Sequence, residues 1–320
     1  MKLGVFTALF SDRTLEEALD TVAEFGVDAV EIGTGNFLAK VHCNPEELLS
    51  SEVKLDEFKE ALSKRGLFIS ALSCHGNPLH PQEAIGKEHR KTIRDTALLA
   101  EKLGVERING FAGCPGAPDS NKYPNWVTCP WPPYFSEIIK WQWEKKIIPY
   151  WREEAKFLRD HGVRVCLEMH PGDAVHTPEK LLRLREEAGE AIGCNFDPSH
   201  LFWQGIDPVV AVRKLSDAIY HVHAKDTKID PLNSTLNGVL DAKPYSDEIH
   251  RSWIFRTVGY GHSHDFWKDF LSNLRLVGYD YVLSIEHEDS LMSAREGIEK
   301  AVTFLKEILL TEEARKIEWD

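Results

Sequence analysis

Short apolar runs alternate with longer amphipathic segments along the whole chain. The apolar runs predict strands, and segments with apolar residues at three- and four-residue spacing predict helices. The predicted strands are Lys2–Ala8, Val27–Gly33, Leu67–Cys74, Val105–Phe111, Val163–Met169, Ile192–Phe196, Ala218–Ala224 and Tyr281–Ile285. The predicted helices with clear bounds are Thr14–Phe25, Leu55–Lys64, Lys87–Leu103, Ser136–Asp160 and Ser293–Leu310. This alternation indicates an α/β fold, a closed (β/α)8 TIM barrel.

Glycine marks the joints between helices and strands. A glycine stands just before each of five predicted strands, at Gly26, Gly66, Gly104, Gly162 and Gly278. Glycine is favoured there because the residue that follows a helix often adopts a left-handed conformation. An open doubly wound sheet is the structural alternative, but the first strand is not followed by a Gly-x-Gly-x-x-Gly turn. We therefore expect one barrel domain over residues 1–320.

Two long segments interrupt the alternation. Ala112–Pro133 follows the fourth predicted strand and Thr227–His262 follows the seventh. Loops after the carboxyl ends of barrel strands build the active site in this fold. Both segments are too long to be simple connections, and the strand–helix pattern resumes after each. We expect them to cover the catalytic face of the barrel.

Composition and charge narrow the classes of function. The chain has 320 residues and a net charge of −13, and its short basic clusters, Lys87–Arg94 and Lys140–Lys146, are interrupted by acidic or aromatic residues. A nucleic-acid partner is disfavoured, since a phosphate backbone repels an acidic protein that has no basic stripe. Six cysteines without a Cys-x-x-Cys pair, and no apolar run of membrane-spanning length, predict a cytoplasmic protein that does not contact the membrane. A small-molecule partner is favoured.

The candidate chemistry lies at the ends of the last four predicted strands. These strands end at or just before Glu168, Asp197, His223 and Glu286. In a closed barrel the four ends converge on one mouth, so three carboxylates would crowd together unless a cation balanced them. Three oxygen ligands and one imidazole favour one divalent metal ion, with Mn²⁺ as first choice and Mg²⁺, Co²⁺ or Zn²⁺ as alternatives. The sequence therefore predicts a metal site.

Other polar residues near the predicted strand ends are candidates for substrate contacts. Each could instead serve only to pack or hydrogen-bond the fold. The set comprises His200, His170, Glu31, His75, Lys225, Asp226, Arg256 and His262. Trp126, Trp131, Trp141 and Trp143 could stack on a sugar ring, or could pack a loop or an oligomer interface.

Five motifs resemble those of the sugar phosphate isomerase/epimerase, or xylose-isomerase-like, barrels. This family includes ketose 3-epimerases, hydroxypyruvate isomerases, inosose dehydratases and endonuclease IV DNA-repair enzymes. The motifs are Glu168-Met-His170-Pro, Asp197-Pro-Ser-His200, His223-Ala-Lys225-Asp226, Gly259-Tyr-Gly261-His262 and Ile-Glu286-His-Glu. The resemblance implies metal ligands at Glu168, Asp197, His223 and Glu286, with Glu168 and Glu286 also acting as the catalytic acid/base pair. It further implies a carbohydrate substrate and suggests a homo-oligomer.

The chain departs from the ketose 3-epimerases in two ways. Those enzymes carry an arginine shortly after the seventh-strand histidine, whereas residues 224–229 here read Ala-Lys-Asp-Thr-Lys-Ile. The segment from His223 to Glu286 is also long, at 286 − 223 = 63 residues. Both features favour a larger or modified sugar over a free ketose. Three functions stay open: an isomerase or epimerase, a lyase that eliminates from a keto sugar, and a non-catalytic sugar-binding barrel.

Overall fold

The computed structural model describes residues 1–120 and 122–313. Its strands are β1 (Lys2–Phe6), β2 (Ala29–Gly33), β3 (Phe68–Ser73), β4 (Arg107–Gly110), β5 (Arg164–Glu168), β6 (Ile192–Phe196), β7 (Ile219–Ala224), β8 (Asp226–Ile229), β9 (Trp253–Arg256) and β10 (Val282–Ile285). Strands β1 to β7 and β10 close a barrel in that order, with β10 paired in parallel to β1. The predicted TIM barrel is confirmed.

Helices follow the barrel strands and cover them. Their bounds are α1 (Leu15–Glu24), α2 (Pro45–Ser50), α3 (Glu52–Ser63), α4 (Glu83–Leu103), α5 (Tyr134–Gln142), α6 (Ile148–Asp160), α7 (Pro178–Ala188), α8 (Ser199–Phe202), α9 (Pro208–Leu215), α10 (Pro231–Asn237), α11 (His264–Leu276) and α12 (Ala294–Ile308). Helix α1 begins at a capping box, in which Thr14 and Glu17 satisfy each other's backbone N–H groups. In the part of the chain that the structure describes, no helix is long and apolar enough to cross a membrane.

The predicted helix Ser136–Asp160 is not regular throughout. A π-helical turn at Trp143–Ile147 separates α5 from α6, and the N–H of Ile148 bonds to the carbonyl of Trp143. Pro149 stands at the start of α6. Proline has no N–H, and its ring would clash with the carbonyl four residues earlier in a regular helix. The wider π-helical turn relieves this clash. The apolar periodicity of the segment does not reveal the turn.

The barrel strands separate an apolar core from a polar interior. Between strands and helices the core is apolar, with Trp151 and Trp267 both fully buried. Inside the barrel it is polar, because Asn109 of β4 donates a hydrogen bond to Glu31 of β2 and His223 of β7 lies 3.0 Å from the same carboxylate. Bonds between strands that are not neighbours must cross the barrel interior. This polar interior lies directly beneath the candidate site.

The segment between β7 and β10 is more ordered than a long loop. Strands β8 and β9 pair antiparallel as a hairpin, with α10 between them. The Asp226 carboxylate accepts hydrogen bonds from the backbone N–H groups of Gly259, Gly261 and His262, and from the indole of Trp267. One buried carboxylate therefore fixes the return of the hairpin toward α11.

An apolar cluster of Trp203, Trp253 and Phe255 fastens the hairpin to the barrel. The rings of Trp203 and Trp253 are stacked, with centroids 4.5 Å apart and planes 9° from parallel. Trp203 follows α8, which begins two residues after Asp197. The cluster thus places β9 beside the carboxyl ends of the barrel strands.

Gly193 of β6 is predicted to be intolerant of even one added methyl group. An alanine Cβ there would lie 2.1 Å from the ring of Tyr220. At Gly110 of β4 the nearest atom to such a Cβ is the carbonyl oxygen of Cys74, at 3.8 Å. We expect Gly193→Ala to lower the free energy of unfolding by about 1–3 kcal/mol through overpacking. Gly110→Ala, the matched control, should change it little. Urea denaturation measures both, and equal stability of the two variants would refute this packing.

Candidate functional site

Four side chains converge at the carboxyl end of the barrel. Glu168 ends β5, Asp197 follows β6, His223 belongs to β7 and Glu286 follows β10. One donor atom from each lies within 4.8 Å of the others. Glu168, Asp197 and His223 are almost fully buried, with exposed fractions of 3%, 1% and 0%. The strand-end pattern in the sequence correctly predicts that these four residues lie together.

Histidines hold the Glu168 carboxylate. The Nε2 atom of His75 lies 3.0 Å from one carboxylate oxygen, and Nε2 of His200 lies 3.1 Å from the other. Burial alone would raise the pKa of Glu168, but the hydrogen bonds from His200 and His75 hold it well below its usual value. Glu168 is therefore a carboxylate whose orientation is fixed at both oxygens.

Lys225 supplies the positive charge on the opposite side of the cluster. Its Nζ atom lies 3.1 Å from Asp197, 2.8 Å from Glu286 and 2.9 Å from Glu288. Burial would raise the pKa of Glu286, but Lys225 and His223 lower it to about 2. Glu286 is thus held in its charged form by the buried ammonium group of Lys225 and by His223.

The donor set fits a divalent cation. Asp197 Oδ2 is buried and accepts no hydrogen bond of good geometry within residues 1–120 and 122–313, although Lys225 is its ionic neighbour. Such an oxygen, next to two further carboxylates and an imidazole, is a ready ligand. Three oxygens and one nitrogen suit hard or borderline divalent ions. The buried cluster has the composition and spacing of a divalent-metal site.

His223 presents one nitrogen to each side. Its Nδ1 lies 3.0 Å from Glu286 in the cluster, and its Nε2 lies 3.0 Å from both oxygens of Glu31 beneath. The carboxylates on both sides, Glu31 and Glu286, raise the pKa of His223 well above its ordinary value although its burial opposes this. A cation at the cluster would take the Nδ1 lone pair in place of a proton, and Glu31 would then hold the remaining N–H at Nε2, as in carboxylate–histidine–metal triads.

The surroundings of Glu31 favour a supporting role, and its predicted contact with substrate stays a prediction. Glu31 is fully buried, and its oxygens also accept hydrogen bonds from Ser73 at 2.5 Å, Asn109 at 2.9 Å and Ser284 at 2.6 Å. Glu31, His221 and His223 also have spacing compatible with a metal ion. Because donors already surround both oxygens of Glu31, the group is better explained as a hydrogen-bond network that supports His223.

A cavity of 480 Å³ opens beside the cluster. Its lining comprises His170, Tyr245, Ile254, Phe255, Glu288 and Ser290. His170 contacts the site directly, because its ring packs against His200 at a centroid distance of 4.3 Å. Ile254 and Phe255 come from β9, so the hairpin forms one wall. Sequence reasoning missed this wall, since four-residue strands within a long polar segment give little signal.

Three predicted substrate contacts instead hold the loop above the site. Asp226 is fully buried and bonded as described above. His262 stacks on Phe202 at 3.7 Å and lies 2.7 Å from Asp226. Arg256 pairs with Asp289 at 3.0 Å. These contacts favour a role in support of the hairpin, and substrate contact by the three residues stays a prediction.

The predicted tryptophan wall does not line the mouth. Trp131 is 74% exposed, whereas Trp143 is buried beneath the guanidinium of Arg183. The aromatic residues that do line the mouth cavity are Tyr245 and Phe255, whose rings stack at 5.7 Å. The aromatic lining of the mouth cavity thus comes from the hairpin segment rather than from the loop after β4.

Asn195 is a site residue that the sequence reasoning overlooked. It donates to Glu168 at 3.2 Å, and its own oxygen lies 2.9 Å from Nδ1 of His221. Its position in the strand could have revealed it, because alternate residues of a strand share a face. Asn195 and His221 stand two residues before Asp197 and His223, and so face the same interior.

We predict that Glu31 supports metal binding without being a ligand. Glu31→Gln removes the charge that holds the Nε2 proton of His223, so affinity for Mn²⁺ should fall about 10–100-fold. Isothermal titration of the metal-free protein measures this. Ser70→Ala is the matched control, because Ser70 contacts His221 but not the Glu31–His223 pair. Unchanged Mn²⁺ affinity in Glu31→Gln would refute the supporting role.

Comparison with known proteins agrees with this geometry. The family model for the xylose isomerase-like TIM barrel matches residues 19–308. The chain is 40% identical to the uncharacterized protein YfiH of Bacillus subtilis (strain 168) over 312 residues, which cover 97% of this chain and 99% of YfiH. It is 28% identical to inosose dehydratase of Geobacillus kaustophilus (strain HTA426) over 230 residues, covering 71% and 67% of the two chains.

Solved structures show the same fold. A D-tagatose 3-epimerase-like protein matches with a TM-score of 0.64 and 23% identity, over 96% of this chain and 98% of its own. The zinc-bound IOLI protein matches with a TM-score of 0.66 and 20% identity, over 97% and 98%. The probable 3-DHS dehydratase AsbF from Bacillus anthracis matches with a TM-score of 0.67 and 18% identity, over 96% and 99%. This chain belongs to the xylose isomerase-like TIM barrel family.

Proposed function

We propose that this protein is a divalent-metal-dependent isomerase or epimerase of a sugar or sugar derivative. The observation that carries the proposal is the buried group of Glu168, Asp197, His223 and Glu286 beside a cavity large enough for a sugar. Strands β6 and β7 separate β5 from β10 in the barrel, so Glu168 and Glu286 approach the mouth from different directions. Two carboxylates in this arrangement can serve as an acid/base pair.

The reaction would proceed by proton transfer next to a carbonyl. Glu168, Asp197, His223 and Glu286 would hold a divalent cation, which would supply polarisation of that carbonyl and balance the negative charge that develops on it. Glu168 or Glu286 removes the proton from the adjacent carbon, and one of them returns a proton. Return to the neighbouring carbon gives an isomer, and return from the opposite face gives an epimer.

The surrounding residues fit a polyhydroxylated substrate. Phe255 and Tyr245 offer aromatic faces to the apolar C–H surface of a sugar, while His170, Glu288 and Ser290 offer partners for hydroxyl groups. Lys225 pairs with Glu286 and Glu288 and offsets part of the negative charge of the mouth. Hairpin and cavity wall together limit access of water to the reacting carbon.

We propose Mn²⁺ as the physiological cation. The three carboxylates favour a hard or borderline ion that accepts oxygen ligands. Zinc is the principal alternative, because the IOLI structural relative binds it. Thermal unfolding of the metal-free protein with each cation would rank them, since the ion that binds the folded state more tightly raises the melting temperature more.

Elimination is the second candidate reaction. It is favoured by the sequence similarity to inosose dehydratase and by the contacts of His75 and His200 with Glu168. A carboxylate would remove the proton next to the carbonyl, a C=C bond would form, and the β-hydroxyl would leave as water with a proton from a histidine. The first step is shared with isomerisation, and the fate of the hydroxyl separates the two reactions.

We predict solvent exchange at the carbon next to the substrate carbonyl. The Mn²⁺-loaded protein is incubated in D₂O with panels of ketoses, inososes and 3-keto glycosides, and products are followed by NMR. Deuterium uptake without loss of a group supports isomerase or epimerase action, whereas loss of water or aglycone supports the lyase. Absence of exchange on every panel with the metal bound would contradict both.

The acid/base role is tested by Glu168→Gln. Loss of the proton acceptor should slow exchange by about 10²–10⁴-fold while the fold persists. Glu57→Gln, at an exposed position of α3, is the matched control and should leave exchange unchanged. Full activity in Glu168→Gln would remove Glu168 from the mechanism.

A further inference from the structure

A second cavity lies between the loop after β4 and the segment that carries the hairpin. Its volume is 420 Å³, within the range of small-molecule sites. Trp126, Cys129 and Ile139 line one side, and Trp203, Val239 and Leu240 line another. It shares no lining residue with the mouth cavity among residues 1–120 and 122–313. The two cavities are neighbours. Trp203 of the second cavity stacks on Trp253 of β9, and Phe255 of β9 lines the mouth cavity.

Two buried hydrogen-bond donors of this cavity lack a partner. The indole N–H groups of Trp126 and Trp203 are buried and donate to no atom in the described part of the chain. A buried donor left unpaired costs about 1–3 kcal/mol, so native structures seldom retain one without a reason. Two such donors on side chains that line one cavity favour a bound group that accepts hydrogen bonds there.

The cavity also contains a cation without a counter-ion. Lys180 donates to Nε2 of His176 at 2.6 Å, and Nδ1 of His176 lies 2.9 Å from the side-chain oxygen of Gln204. A histidine that accepts at one nitrogen and donates at the other is neutral, so it does not balance the lysine. Within residues 1–120 and 122–313, no carboxylate lies within 4.0 Å of Lys180, and none lines the cavity. Partial burial lowers the pKa of Lys180.

We propose that this cavity is a binding site for a small organic carboxylate with an apolar body. The carboxylate oxygens would accept hydrogen bonds from Trp126, Trp203 and Lys180. One negative charge matches one lysine, whereas a phosphate dianion would leave one charge without a partner in this cavity. The apolar body would pack against Ile139, Val239 and Leu240. In a chain with a net charge of −13, a cavity lined by donors and free of acids is selective for an anion.

The site lies next to the catalytic mouth without being part of it. Gln204 donates to the backbone carbonyl of His200 at 2.8 Å, and His200 contacts Glu168. A carboxylate bound between the loops would therefore contact the same segment that carries His200. The proposal does not depend on which reaction occurs at the mouth, because its observations come from other residues.

Titration of the indole signals tests the site directly. The protein is labelled with ¹⁵N at tryptophan, and the signals of Trp126 and Trp203 are assigned with Trp126→Phe and Trp203→Phe. The probes are benzoate, phenylacetate and hexanoate, with benzamide, phenylacetamide and inorganic phosphate for comparison. We expect saturable shifts of both indole N–H signals with at least one carboxylate. Its neutral amide should bind about ten-fold or more weakly, since a charged acceptor makes the stronger hydrogen bond.

A lysine variant separates the site from nonspecific binding. Lys180→Met keeps most of the side-chain volume and removes the charge, so carboxylate affinity should fall about ten-fold or more. Lys214→Met, at an exposed position of α9 outside the cavity, is the matched control and should bind as the unmodified chain does. The proposal is overturned if no carboxylate shifts the indole signals, if amides or phosphate bind equally well, or if Lys180→Met has no effect.

Discussion

The repulsion among three buried carboxylates is the constraint on which the rest of this site depends. Glu168, Asp197 and Glu286 meet where parallel strands converge; the first two are almost closed to water, and Glu286 is partly exposed beside them. Charges so placed are tolerated only when positive groups or a cation balance them. The chain supplies Lys225 on one side and histidines on the other, and it leaves a four-donor group of the right composition for a divalent ion. In the proposed mechanism, acid/base chemistry and metal binding would therefore use the same carboxylates.

The polar barrel interior follows from the same constraint. A metal-binding histidine must present a lone pair, and His223 has Glu31 behind it to hold the proton on the far nitrogen. Glu31 in turn needs donors, which Ser73, Asn109 and Ser284 provide. Each of these hydrogen bonds takes the place of one that water would make if the barrel admitted it. The hydrogen-bond network therefore extends from the mouth into the barrel interior.

The sequence predicted the site well where a general geometric rule applied. In a closed barrel all carboxyl ends of the strands meet, so the strand ends at Glu168, Asp197, His223 and Glu286 sufficed to place four residues together. The rule says less about Glu31, which lies in the middle of β2 and whose carboxylate is surrounded by hydrogen-bond donors in the barrel interior. The hairpin was missed because its strands are short and stabilised by distant groups such as Asp226 and Trp203. The π turn at Trp143–Ile147 depends on backbone geometry that apolar periodicity does not report.

Anomalous diffraction from crystals of the Mn²⁺-loaded protein tests the central claim most directly. The account predicts one strong peak in direct contact with Glu168, Asp197, His223 Nδ1 and Glu286, with Lys225 displaced from the carboxylates. The peak should be lost in Asp197→Asn. A peak at Glu31, His221 and His223 instead, or no ordered ion at saturating Mn²⁺, would contradict the assignment of the metal site.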